Sequence, residues 1–312
     1  METVDCCNLC GSSRHSPFAE VIGPVSGRAL HVVTCDGCGL RFLSPRLLES
    51  EVAALYDEEY FNGRGFDPSI NYVDEDEERA VRGEETRGVI EKIELFKPDK
   101  AARVLDVGCG TGGLLTGLAR AGYTDLWGVE LSDYAARLAG ERSGARVSAG
   151  DVVGADLPKN TFDAINATEV IEHLRDPRAF FARVYELLAP GGVFLYTTGN
   201  ARGAYARMLG KRWPYLIDGH LFYFDPTTLA RYFTEAGLES VDARQLERDV
   251  RRGLMRAEGR VAVGVLQLVG RSDRGLKGRI FRWVAALDSP VTRYALIRVL
   301  GKDKMPLAFK RA

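Results

Sequence analysis

Four cysteines near the start of the chain have the spacing of a metal site. Cys7 and Cys10 form one C-x2-C pair and Cys35 and Cys38 another, with a glycine after each pair in CNLCG and CDGCG. A glycine turn lets two thiolates of one short loop face a shared ion, and four sulfurs suit tetrahedral Zn2+ with Zn–S near ~2.3 Å. Four protein ligands close the shell, so the expected zinc is structural. A redox pair or metal-free thiols are the alternatives the spacing leaves open. Cys6 sits one residue early and could compete with Cys7, while His15 and His31 would serve only if a cysteine failed.

A second group of residues fits a positively charged ligand. In 103-RVLDVGCGTGGLLTGLARAG-122 the apolar run Val104, Leu105, Val107 predicts a buried parallel strand. Gly108, Gly110, Gly112 and Gly113 follow, then a helical pattern through Leu114, Leu115, Leu118 and Ala119 that Gly122 ends. Glycines in such a turn let a ligand lie directly on the backbone. A dinucleotide loop would read G-x-G-x-x-G and cradle a pyrophosphate. Here Gly108, Gly110 and Gly112 alternate, with Asp106 just ahead. A carboxylate there disfavours a diphosphate and favours an ammonium group. S-adenosylmethionine has an amino-acid end, a sulfonium, an adenosine and no phosphate, so it fits.

The next two predicted strands end in acids as well. Glu130 in 125-DLWGVELS-132 can accept both ribose hydroxyls, and Asp151 in 145-ARVSAGDV-152 can accept from the adenine amino group. Each acid alone could be a helix cap or a surface residue; three at successive strand ends point to a ligand. The predicted cofactor contacts are Asp106, Gly108, Cys109, Gly110, Gly112, Glu130, Leu131, Asp151 and Val152. Cys109 is expected to be a small filler that presents its backbone N–H.

VLDVGCGTG, GVELS and GDV are followed by 161-TFDAINATEVIEHLRDP-177, 185-YELLAPGGVFLYTTGN-200 and 220-HLFYFDPTTLARYFTEAGLE-239. In this order they resemble the class I S-adenosylmethionine-dependent methyltransferases. The four-cysteine front with 56-YDEEYF-61 is similar to a subgroup whose members often modify nucleotide sugars, glycans or natural products. The resemblance implies an α/β fold, a Rossmann-like seven-stranded sheet with helices on both faces. Residues 162–167 and 192–198 would be its fourth and fifth strands, and the last two would lie near 239–245 and 304–311. It implies methyl transfer to a small-molecule or glycosyl acceptor, at oxygen or carbon.

Two histidines are the catalytic candidates. His220 lies where this fold builds its acceptor pocket, and in resembling sugar methyltransferases a histidine in such a run is proposed as base. Some have glutamate before it; here that neighbour is Gly219. His173 ends 169-EVIEH-173, similar to a run associated with divalent-metal binding in ubiquinone-pathway O-methyltransferases. Glu169, Glu172 and His173 are expected to share one helical turn and could hold Mg2+ with several waters. A structural or cofactor-contact role for Glu172 and His173 is the preferred reading.

These residues need elements to position them. The chain has 312 residues, 46% hydrophobic and 27% charged, a globular balance that excludes wholesale disorder. Three regions are expected: a zinc ribbon at 1–45, a helical linker or cap at 46–98, and a methyltransferase domain at 99–312 with a basic helical insertion at about 248–302. The predicted pieces include a ribbon strand at 30–35, helices at 44–61 and 74–96, and a loop at 62–72. Tyr56, Tyr60, Phe61 and Tyr72 either close over the cofactor or pack.

Net charge is −1, but residues 57–94 carry 13 acidic and 5 basic side chains and residues 250–312 carry 15 basic and 4 acidic. The insertion at 275–301 reads as two helices divided at Ser289-Pro290. It would serve as core or dimer contact, as a basic lid over a sugar-diphosphate acceptor, or as a peripheral contact with anionic lipid. The longest apolar runs fall well short of the roughly 20 residues of a membrane span. The N-terminal residues show no secretory signal, so a cytoplasmic protein is expected. An RNA methyltransferase holding nucleic acid through ribbon and tail is an alternative. Against it, only Arg14, Arg28 and Arg41 supply arginine charge before residue 45. A non-catalytic S-adenosylmethionine-binding protein is a third reading, disfavoured by the intact acids and glycines.

Overall fold

The computed structural model describes residues 1–24, 26–53, 58–61, 75–241, 261–264 and 308–310. Five parallel strands form the centre in the order β6-β5-β4-β7-β8: β4 (Arg103–Val107), β5 (Asp125–Glu130), β6 (Arg146–Ala149), β7 (Phe162–Thr168) and β8 (Leu188–Thr197). Successive side chains alternate between the two faces. Val104, Ala164, Val193 and Leu195 join one buried cluster, while Leu105, Ile165, Phe194 and Tyr196 join the other. The first cluster is covered by α3 (Glu75–Phe96) and α4 (Gly113–Arg120), through Val89, Ile93, Phe96, Leu114 and Leu118. α6 (Pro177–Leu187) and α8 (Pro226–Ala236) cover the second, through Phe180, Phe181, Val184, Leu229 and Phe233. α5 (Asp133–Ser143) packs on α4 and follows the tip of β5. Helices on both faces follow from strands that are apolar on both sides.

Seven strands were expected; among the described residues the sheet has eight. Beyond β8 come β11 (Val261–Gly264), β12 (Ala308–Lys310) and β10 (Glu239–Val241). β10 and β12 lie where the last two strands were predicted. β11 falls inside the stretch assigned to the helical insertion. It runs parallel to β8, from Val261 opposite Val193 to Gly264 opposite Tyr196. The physical reason is the edge of β8, whose N–H and C=O groups would otherwise lack partners. The two helices predicted at 275–301, the loop at 62–72, Tyr56 and Tyr72 lie outside the described residues. Among the described residues no helix is long and apolar enough to cross a membrane.

The cysteine-bearing front is a small antiparallel sheet of β1 (His15–Ile22), β2 (Ala29–Cys35) and β3 (Arg41–Leu43). Its fourth strand, β9 (Phe222–Tyr223), arrives from the far end of the chain and pairs with β3. The helix predicted over 44–61 is shorter than expected, with helical turns at α1 (Glu49–Ala53) and α2 (Glu58–Phe61). Residues 44–46 cannot be helical because their backbone is committed to the ribbon. Ser44 N–H donates to His31 O at 3.0 Å, and Arg46 exchanges hydrogen bonds with Glu2 at 2.8 and 2.9 Å.

Candidate active site

The two cysteine knuckles converge. Cys7 Sγ lies 3.6 Å from Cys38 Sγ and Cys10 Sγ 3.4 Å from Cys35 Sγ, with all four sulfurs within 4.8 Å of one another. A tetrahedron of ~2.3 Å Zn–S bonds has edges of ~3.8 Å, so the sulfurs are nearly at ligand separation. Each knuckle is closed by its glycine, Gly11 N–H to Cys7 O and Gly39 N–H to Cys35 O, both at 2.8 Å. Burial pushes the Cys7 thiol up. At Cys35 burial is outweighed by hydrogen bonds from the Cys10 thiol and from the N–H groups of Cys38 and Gly37, which bring it down to about 7. The arrangement fits Zn2+, and Cys7, Cys10, Cys35 and Cys38 are the residues that would hold it. Cys6 is exposed and outside the cluster, and neither His15 nor His31 belongs to it. Elemental analysis of the purified chain should find close to one zinc per molecule; a fully folded, metal-free preparation would refute the site.

Asp106, Glu130 and Asp151 lie towards the carboxyl ends of β4, β5 and β6. Asp106 is buried and accepts from Asn166 Nδ2 on β7 at 2.8 Å. Glu130, the last residue of β5, accepts from Gly110 N–H at 2.9 Å and from Ser132 N–H at 3.1 Å. Gly150 N–H donates to Glu130 O at 2.8 Å, which sets the tip of β6 beside that of β5. Asp151 follows, exposed, with Val153 N–H on its carboxylate at 3.3 Å. Gly112 is required twice over: its φ is +87°, and a Cβ there would lie 2.7 Å from the Ala139 backbone. A bulkier residue would push α5 away from the loop.

One expected contact is corrected and another has its side chain buried. Cys109 does not offer its N–H to a ligand; that group points at Val129 O, 3.3 Å away, alongside Gly108 N–H at 2.8 Å. The tight turn after β4 folds both amides back onto β5. Val152 is only 1% exposed and belongs to the core, so its side chain is not a ligand surface. Leu131 is the opposite case, 68% exposed just beyond the tip of β5. Tyr60 and Phe61 pack against Ala135 and Tyr134 at the start of α5.

His173 and His220 meet edge to face with ring centroids 4.7 Å apart. His173 Nδ1 is 2.7 Å from Gly219 O, and His220 Nδ1 is 2.7 Å from Tyr215 O. A carbonyl only accepts, so each Nδ1 carries the hydrogen and Nε2 is the basic nitrogen. Below them Glu172 is fully buried. It accepts from Tyr215 Oη and from Thr198 Oγ1, the latter at 3.0 Å. Burial first, then the neighbouring Glu169 charge, push its carboxyl up to about 8.

Glu169, Glu172 and His173 do not share the expected helical turn. Glu169 has φ +54° and so lies outside any helical turn; its carboxylate accepts from Thr197 Oγ1 at 3.1 Å. The 3₁₀ turn that follows Glu169 covers Ile171–His173. The set whose ligand atoms do approach within 4.8 Å is Glu172, His173 and His220. Burial raises its one carboxyl, which works against the ionised form that a hard cation takes.

Glu172 also ties stability to pH. Its folded value lies above the ordinary 4.5, so the fold binds the proton more tightly than the unfolded chain. That stabilisation is complete below about 4.5 and lost as pH rises to about 8. Over this window stability should fall by up to roughly 1 kcal/mol per pH unit. Glu172→Gln should flatten the slope in denaturant titrations, and an unchanged slope would assign the linkage elsewhere.

Tyr215, Thr198, Gly199 and Asn166 were not singled out from the sequence. Tyr215 lies against the His220 ring at 4.0 Å, and Gly199 N–H donates to its hydroxyl at 2.8 Å. A Cβ on Gly199 would lie 2.4 Å from that ring.

Known proteins are similar to part of the chain. A family model described as a methyltransferase domain matches residues 81–243, just over half of the chain. The ubiquinone biosynthesis O-methyltransferase of Dinoroseobacter shibae is 31% identical over 159 residues, covering 47% of this chain and 64% of that protein. The protein of the same name from Xanthomonas euvesicatoria pv. vesicatoria is 32% identical over 183 residues, covering 53% and 74%. The chain thus spans just under two thirds of the length of the first of these relatives. Among solved structures, magnesium protoporphyrin IX methyltransferase from Synechocystis PCC 6803 with bound SAH is 16% identical. It covers 62% of this chain and 91% of that one, at a TM-score of 0.48.

Proposed function

The chain belongs to the methyltransferase domain family, and we propose that it transfers a methyl group from S-adenosylmethionine to a hydroxyl of a small-molecule acceptor, with His220 as base. The observation that carries this reading is the row of carboxylates at three adjacent strand tips, Asp106, Glu130 and Asp151. Asp106 would take the ammonium group, Glu130 the ribose hydroxyls, Asp151 the adenine amino group, and Leu131 the adenine face. The donor supplies a methyl group already activated by its sulfonium. The protein's task is then alignment, exclusion of water and removal of one proton. His220 Nε2 takes the proton from the acceptor hydroxyl, while Tyr215 O holds Nδ1–H and faces the positive charge that develops on the ring.

The relatives' names carry O-methylation, which supports oxygen over carbon. A glycosyl or natural-product hydroxyl is the acceptor class we propose within this reading. The test is formation of S-adenosylhomocysteine with a panel of phenols, glycosides and nucleotide sugars. Turnover on a member of the panel supports the proposal. Donor binding without such turnover, but with methylation of RNA, would replace it with the nucleic-acid reading. Failure to bind the donor at all would remove the catalytic reading altogether.

A further inference from the structure

Among the described residues, the hydrogen bonds that join the cysteine ribbon to the chain beyond residue 99 end in one region. Asn8 lies inside the first knuckle, between Cys7 and Cys10. Its Nδ2 donates to Asp176 Oδ1 at 3.0 Å, and its Oδ1 accepts from Tyr232 Oη at 2.8 Å. Its carbonyl accepts from Arg178 Nε at 3.2 Å, and Leu9 O accepts from the same guanidinium. The first knuckle is therefore bolted to the start of α6 and the middle of α8.

The second knuckle leads by another route. Cys35 ends β2, and β2 pairs with β3, whose Arg41 and Phe42 stand opposite Tyr223 and Phe222 of β9. Leu43 N–H donates to Leu221 O at 3.0 Å, and Leu221 N–H donates to Glu172 O at 2.8 Å. Leu221 is thus clamped between the ribbon and the turn that carries Glu172 and His173, one residue after His220. Arg41 Nη1 donates to Ala201 O at 3.0 Å, and Ser26 N–H to Asp218 Oδ1 at 3.2 Å. Each of these bonds lands between residues 172 and 232; the glycine loop and its carboxylates lie at 106–151.

We propose that the ribbon is a positioning element for the acceptor half of the active site, gripping it through Asn8 at α6 and α8 and through Leu43 at Leu221. A metal held by the four sulfurs would set how firmly residues 217–224 present His220. This rests on the reading of His220 as the acceptor-side base, but its test needs no acceptor. A metal that fixes the two knuckles fixes both routes at once. Without it the four sulfurs of the two knuckles are joined only by weak thiol contacts, and local opening should spread first along the bonds they anchor.

The experiment compares the full chain loaded with Zn2+ and the same chain stripped by a chelator. Hydrogen exchange is followed by mass spectrometry, and S-adenosylhomocysteine affinity by calorimetry. Stripping should accelerate exchange across 217–224 on the order of tenfold while 104–114 changes less than about twofold and ligand affinity holds. Unchanged exchange at 217–224 overturns the proposal. If stripping unfolds the whole chain, Asn8→Ala decides, because it keeps all four sulfurs. With zinc bound it should speed exchange at 217–232 and leave affinity unchanged; no change there overturns the proposal. Failure of the zinc-loaded wild-type chain to bind S-adenosylhomocysteine would instead count against the methyltransferase reading, leaving the exchange result to stand by itself.

Discussion

Replacing His220 by alanine should lower turnover by roughly 10²–10³-fold and leave donor affinity within about twofold. The ring is held for proton transfer from both sides. Tyr215 O fixes the hydrogen on Nδ1 at 2.7 Å, the Tyr215 ring lies at 4.0 Å, and His173 stands edge-on at 4.7 Å. The residue is 8% exposed, so Nε2 acts from a sheltered position where a proton acceptor is most effective. The competing account is a structural histidine whose only work is the bond to Tyr215 O. His220→Asn separates the two, because an asparagine amide can still donate to that carbonyl while offering no basic nitrogen. A structural role predicts that asparagine rescues activity; a base role predicts that it is as inactive as alanine. Unchanged turnover in both variants would remove His220 from the mechanism. His173→Ala should cost less, since it acts by packing on His220 and holding Gly219 O.

What the sequence made legible follows the range over which the physics acts. The strand-loop-helix at 103–120 could be read because every constraint in it is local: an apolar strand, a glycine turn and a helical stripe within twenty residues. The cysteine knuckles are local for the same reason, each a turn of a few residues. Tyr215 was invisible because its chemistry is with Glu172, 43 residues earlier, and with Gly199 at the exit of β8, and no spacing rule links them. The pairing of β3 with β9 joins residues 41–42 to 222–223, and 220-HLFYFDP-226 gave no sign of a strand partner so distant. The Glu169 error came from assuming that residues spaced three and four apart must share a helical face. That holds only where the backbone is helical, and Glu169 turns the other way to reach Thr197. The strand at 261–264 was misassigned because four residues carry too little periodicity to outweigh the helical stripe predicted downstream.

Glu130→Ala should weaken donor binding by at least about 100-fold, and the reason is not only the loss of a ribose partner. The carboxylate also works on the protein itself. One oxygen holds Gly110 N–H at 2.9 Å and the other holds Ser132 N–H at 3.1 Å, so a single side chain ties the glycine loop to the entry of α5. Each carboxylate oxygen has a second lone pair, which is what remains for the ribose hydroxyls. Truncation removes the acceptor and leaves the buried Gly110 N–H without it, at a cost of about 1–3 kcal/mol to the folded loop. Stability should therefore fall together with affinity. Asp106→Asn is the informative contrast: it should weaken binding by removing the negative charge meant for the ammonium group, yet a turned amide can still accept from Asn166 Nδ2, so stability should hold. Calorimetric titration with S-adenosylhomocysteine and denaturant unfolding of both variants decide the matter. If Glu130→Ala binds the ligand normally, the carboxylate is a loop brace alone. The row of three acids would then lose its middle member, and with it the argument that they grip one molecule.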